Sequence, residues 1–185
     1  GIRAMGIKQC WMFGHHTGAS IAVQMTNDHP EMTLKLILCG PPYLSSTERR
    51  AWISGTYPTL IDRDGDHLKK IWARICTRDS SAPVDLLHRE AVLNLHTCDR
   101  YHEAYIAAFE HNFADQLSVI DCPMLMLAGE FDTLIGSLQR AGNAAKNGVV
   151  KIIPEGTTYV CDRGAKSLAR MIKEFLLISL QIDYL

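Results

Sequence analysis

The sequence predicts an α/β fold: a parallel sheet of about four strands with an all-helical segment inserted in it. Three observations carry this. A strand, a tight turn, a helix and a second strand follow one another within the first forty or so residues. Strand patterns then vanish from about Ser45 to Val119. After that, strand and helix alternate again to the end. Such alternation builds parallel sheets with right-handed crossovers.

The first element is the apolar run Cys10-Trp11-Met12-Phe13, which has the profile of a strand buried on both faces. Gly14-His15-His16-Thr17-Gly18 follows, and Ala19 to Met25 resumes with helical character. Two glycines four apart let the chain turn sharply and bring the helix close to the strand. Gly18 and Ala22, also four apart, are expected to permit that close helix–sheet approach. Pro30 ends the helix, and Leu34 to Cys39 forms a second strand closed by Gly40-Pro41-Pro42.

In the helical segment, Ser45 or Ser46 caps a helix that has Glu48 in its first turn. Leu68, Ile71, Trp72 and Ile75 form a stripe at helical spacing. Pro83 starts a third helix, with Leu86, Leu87, Val92 and Leu95 directed inward, and Tyr101, Tyr105, Ala108 and Phe109 share a face of a fourth. The sheet resumes with the buried strand Met124 to Gly129, followed by Glu130-Phe131-Asp132. A helix over 135–145 precedes a strand at 149–153, a loop over 154–163, and a last helix over 165–180. That helix turns Leu168, Met171, Ile172, Phe175 and Leu176 inward. The expected organisation is therefore a first sheet part (1–44), a helical cap (45–119) and a second sheet part (120–185).

Bulk properties exclude several classes. A net charge of −1 over 185 residues gives no pull towards nucleic acid or an anionic membrane, and no apolar run is long enough to span a bilayer. The six cysteines are scattered without a C-x-x-C pair. They read as free thiols of a reducing, cytoplasmic compartment rather than as a zinc site or disulfide framework. The first residues lack both an initiator methionine and a signal-peptide pattern, so a fragment of a longer product is expected.

The order strand–GHHTG–helix–strand, helical segment, strand–AGEFD, helix, strand resembles the C-terminal half of the α/β-hydrolase fold with its helical cap. The resemblance implies a catalytic triad running nucleophile, acid, histidine along the chain. By register, the nucleophile position falls on His16, the acid on Asp132 and the histidine on Thr158. Serine-type acyl transfer needs a hydroxyl or thiol and an adjacent base, and neither stands at its place. His16 is therefore expected to cross the space left by Thr158 and pair with Asp132 directly, through Thr158 or through water. That pair would act as a general base. The helix dipole disfavours an imidazolium at residue 16, whereas a close carboxylate favours it.

The backbone N–H of Thr17 is the expected oxyanion donor, and Trp52, His102 and Tyr105 are expected substrate contacts in the cap. His15 is read as filling space beside the turn. No cofactor is implied and no metal is expected, because adjacent histidines seldom converge on one ion. The function so predicted is general-base chemistry on a small apolar ester or carbonyl compound. Its alternatives are a non-catalytic ligand-binding or scaffold protein, or an inactive fragment. The resemblance also leaves one edge of the Cys10–Phe13 strand unpaired, to be covered by another copy or by a missing N-terminal half.

Overall fold

The computed structural model describes residues 1–178 of the chain. They form two compact units: residues 1–43 together with those from Asn112 onward, and Leu44–His111.

The first unit is built on strands β1 (Cys10–His15), β2 (Thr33–Cys39), β3 (Met124–Phe131) and β4 (Gly148–Thr157). All are parallel, in the spatial order β1-β2-β3-β4. Each connection is a crossover, as parallel neighbours require. Helix α1 (Thr17–Asp28) links β1 to β2, and helix α7 (Ile135–Ala144) links β3 to β4. Alternate residues of the central strands divide the core in two. Leu36, Leu38, Met124 and Met126 meet Ala19, Val23, Leu138 and Ala141 on one face. On the other, Ile37, Cys39, Leu125 and Leu127 meet Val160 of the short helix α8 (Val160–Arg163) and Leu168 and Phe175 of helix α9 (Ala165–Ile178). Met171, Ile172 and Leu176 pack at the margin of this second cluster. Residues 179–180, expected at the end of α9, lie outside the described residues. Lys35 is buried by donating to the Leu176 carbonyl at 2.8 Å, near the end of α9, where a cation complements the helix dipole.

The helix α6 (Phe113–Val119) belongs to this unit, with Phe113 and Leu117 in the first cluster. The helical run expected over 45–119 thus reaches Val119, while the second compact unit ends at His111.

β1 is not buried on both faces. Met12 is buried, whereas Trp11 and Phe13 are 50% and 46% exposed. Their register partners Lys35 and Ile37 lie on the face that α9 covers, but β1 stands at the sheet margin and its outer residues are not part of that cluster. β4 is longer than expected and runs through Pro154 to Thr157, after a register shift against β3 and a positive φ at Glu155. An edge strand tolerates proline because its missing N–H breaks no ladder.

In the second unit, helix α2 (Ser46–Ser54) begins with a capping box in which Ser45 and Glu48 exchange side chain–backbone bonds. Helices α3 (Asp66–Arg78), α4 (Val84–Thr97) and α5 (Tyr101–Glu110) follow. Of the predicted stripe on α3, Ile71 and Ile75 are buried, while Leu68 and Trp72 are 49% and 39% exposed. On α4, Leu86, Leu87, Ala91 and Asn94 are buried and Val92 is exposed. Asn94 replaces the expected apolar contact because its amide is satisfied twice, donating to the Glu90 carbonyl and accepting from Arg74.

The close approach of α1 to β1 depends on Gly14. A Cβ there would stand 2.2 Å from the Gly18 carbonyl oxygen and 2.7 Å from the Ala19 Cα. Gly18 itself faces open space, so the proximity predicted for Gly18 is granted by its neighbour across the turn. Gly14→Ala is expected to lower unfolding stability by about 2 kcal/mol or more. Gly18→Ala should be neutral or stabilising by up to about 1 kcal/mol. Urea denaturation of the two variants against the parent checks both.

Candidate functional site

Because the four strands are parallel, their C-terminal ends lie along one margin of the sheet. The residues that directly follow them are His16 after β1, Gly40 after β2, Asp132 after β3 and Thr158 after β4. Open α/β sheets bind ligands at this margin. The pairings His15 with Cys39, Cys39 with Leu127 and Phe131 with Thr157 bring the four positions together.

His16 is the single residue between β1 and α1, at φ 50° and ψ −115°. Its backbone N–H donates to the Cys39 carbonyl at 2.9 Å, and its carbonyl accepts from the Ala19 N–H at 2.8 Å. A non-glycine residue at such a φ carries roughly 1–3 kcal/mol of strain, so the surroundings must hold it there.

Asp132 does so. His16 Nε2 lies 2.9 Å from Asp132 Oδ2 and 3.1 Å from Oδ1. The carboxylate side chain is 0% exposed and the imidazole 24%. The Leu134 N–H donates to Asp132 Oδ1 at 2.7 Å, fixing the carboxylate in the turn after β3. Among the described residues Nδ1 of His16 has no hydrogen-bond partner. Nε2 is thus the ring nitrogen engaged with the carboxylate. The two residues meet directly. Thr158 is 8% exposed, and its Oγ1 makes no hydrogen bond among the described residues, so it does not bridge them. Thr17 is the first residue of α1, where backbone N–H groups lack an intrahelical acceptor.

Two participants were not legible as such in the sequence. Gly40, which reads as a strand terminator, has φ +59°, and a Cβ there would fall 2.3 Å from His16 Cδ2 and 2.6 Å from Nε2. It is the floor on which the imidazole rests. His15 stacks on His16 with ring centroids 4.1 Å apart. Burial, and then the neighbouring His16, hold its pKa down at about 4, against opposing pulls from Asp132 and Asp162. One ligand atom each from His15, His16 and Asp132 lie within 4.8 Å of one another, so adjacent histidines do gather with a third donor here. The signal that was missing is Asp132, distant by 116 residues in the chain. Burial pushes the Cys39 thiol up, with Cys161 and Asp132 adding to the shift; it is no nucleophile near neutrality.

Two of the three residues predicted in the cap, Trp52 and Tyr105, are engaged within the helical unit. Trp52 packs edge-on against Phe109 at 5.2 Å. The Tyr105 hydroxyl is bonded to that of Tyr101 at 2.7 Å and accepts from Arg78 at 3.2 Å. His102 keeps its Nδ1 buried without a hydrogen-bond partner among the described residues.

No family model and no curated protein matches the sequence. Solved structures match its fold. A bromoperoxidase from Bacillus anthracis superposes with a TM-score of 0.74 at 15% identity, over 95% of this chain and 70% of its own. The enol-lactonase from Burkholderia xenovorans LB400 gives 0.74 at 13% identity, over 95% and 68%. MGS-M2, an alpha/beta hydrolase enzyme from a Medee basin deep-sea metagenome library, gives 0.68 at 16% identity, over 95% and 67%. At such identities the likeness is one of fold.

Gly40→Ala is expected to displace the His16 ring and to strain the backbone at once. Its cost should be about 2–4 kcal/mol in urea denaturation. The same substitution in an Asp132→Asn background should cost measurably less, because the contact it disrupts is already weakened.

Proposed function

We propose that this chain, which carries part of the α/β-hydrolase fold, hydrolyses small apolar esters with His16 as general base and Asp132 as its orienting partner. The observation that supports this most directly is the 2.9 Å contact between His16 Nε2 and a fully buried Asp132 carboxylate, which the Leu134 N–H holds in place. In this reading Nδ1 of His16 removes a proton from water as its oxygen attacks the ester carbonyl. The carbonyl π electrons move onto oxygen, and the Thr17 N–H donates to that oxyanion. Asp132 stabilises the imidazolium so formed. Collapse of the tetrahedral intermediate re-forms the carbonyl and expels the alkoxide, which takes the proton back from Nδ1. Acid and alcohol leave. Thr158, with no ionisable group, holds no proton in this sequence.

The imidazole of His16, 24% exposed, is open to water on one side, while the absence of a hydroxyl or thiol at residue 16 favours direct attack over a covalent intermediate. One of the structural neighbours is an enol-lactonase, a name that denotes cleavage of a cyclic ester.

The proposal predicts turnover of short-chain p-nitrophenyl esters that falls about 10²–10⁴-fold in His16→Ala. Asp132→Asn should lose less, about tenfold to a few hundredfold, since it leaves the base present but wrongly held. Steady-state kinetics on both variants, with circular dichroism to verify folding, checks this. Parental turnover that survives in His16→Ala overturns the reading. Ligand binding without turnover in every form would favour a non-catalytic binding protein instead.

A further inference from the structure

The same corner of the sheet holds a donor set that ester hydrolysis does not use in full. We infer that His15, His16 and Asp132 form a binding site for one divalent transition-metal ion of the zinc type, with a solvent position left open.

Four observations carry the inference. One ligand atom from each residue lies within 4.8 Å of the other two. An ion bound at roughly 2.0–2.1 Å to each would space its ligands by about 3.3 Å in a tetrahedron. The His16–Asp132 separation of 2.9 Å is close to that edge, so only His15 has to approach. His15 Nε2 is buried with no hydrogen-bond partner among the described residues, a desolvated lone pair or N–H that hydrogen bonding leaves unsatisfied. The Asp132 side chain is 0% exposed, and its partners among the described residues are the His16 ring and the Leu134 N–H, with no Lys or Arg. A buried anion facing two imidazoles gains from a cation between them. Finally, the surroundings are those of an oriented ligand set. Leu134 N–H fixes the carboxylate, Gly40 supports the His16 ring, and the two rings stack.

The chemistry of the donors selects the ion. Two nitrogens and one carboxylate suit zinc, cobalt(II) or nickel(II) and do not suit magnesium or calcium, which take oxygen cages. Three protein ligands and a partly exposed His16 leave the fourth position to water. Binding exchanges the Nε2 proton of His16 for the metal and releases it to solvent.

The full chain, stripped with a chelator and desalted, is titrated with ZnCl2 by calorimetry and with CoCl2 by visible absorption. The expected result is one ion per chain with micromolar affinity and cobalt bands of a four-coordinate site. His15→Phe keeps the ring stack but removes a donor, and Asp132→Asn keeps the shape but removes the charge. Each should weaken binding at least about tenfold. Binding that is equally tight in His15→Phe, as the cysteines would provide, overturns the inference. So does a parent protein that binds neither ion below about 1 mM. If Asp132→Asn fails to fold, His15→Phe decides alone. No substrate enters this measurement, so its failure leaves the hydrolytic reading standing, and loss of that reading leaves this one standing.

Discussion

A carboxylate wholly removed from water must find compensation inside the protein, and the site described here is organised by that requirement. Asp132 has no exposed side-chain surface. Its two oxygens are met by a backbone N–H two residues on and by an imidazole that arrives from the other end of the chain. A hydrogen bond to a buried charge is worth roughly 1.5–3 kcal/mol. The unfavourable φ of His16 costs an amount of the same order. The two nearly offset each other, which explains how a histidine persists at a backbone position better suited to glycine.

The contact also dictates what its neighbours must be. Gly40 cannot carry a side chain, because the His16 ring occupies the space its Cβ would fill. Gly14 cannot either, because the first turn of α1 must come down on β1 for His16 to point along the margin of the sheet. Gly129 and Gly156 repeat the arrangement farther along, where a Cβ on Gly129 would meet the Gly156 carbonyl carbon at 2.4 Å. That close passage lets β4 continue beyond Pro154 and places Thr158 beside the turn that holds Asp132. Small residues at the strand ends are thus part of the site's construction and not gaps in it.

An imidazole paired this way has one nitrogen committed to the carboxylate and one available. The stacked His15, kept neutral by burial, adds a second nitrogen donor without adding charge. The proposed base uses Nδ1, with Nε2 held on the carboxylate, whereas the proposed metal site uses Nε2 itself; both need the His16 ring fixed against Asp132 in a poorly solvated corner. Both proposals draw on that one geometry, and they differ in whether Nε2 of His16 carries a proton or a metal ion.

Much of the architecture was legible in the chain because it is written in short-range pattern. The apolar runs of β2 and β3, the capping residues of α2 and the spacing of Leu168 and Phe175 on α9 each act over a few residues, and each is found where the pattern places it. The departures come from neighbours distant in sequence. Trp11 and Phe13 are apolar yet exposed because β1 lies at the sheet margin, and Asn94 is polar yet buried because Arg74 meets it. The sequence by itself determined that a histidine sits where strand turns to helix, and that an acid follows a later buried strand. Only the tertiary structure decided that they touch, that Gly40 makes the room and that His15 joins them. Parallel pairing sets which strand ends become neighbours, and pairing is a property of the assembled sheet, not of any one segment.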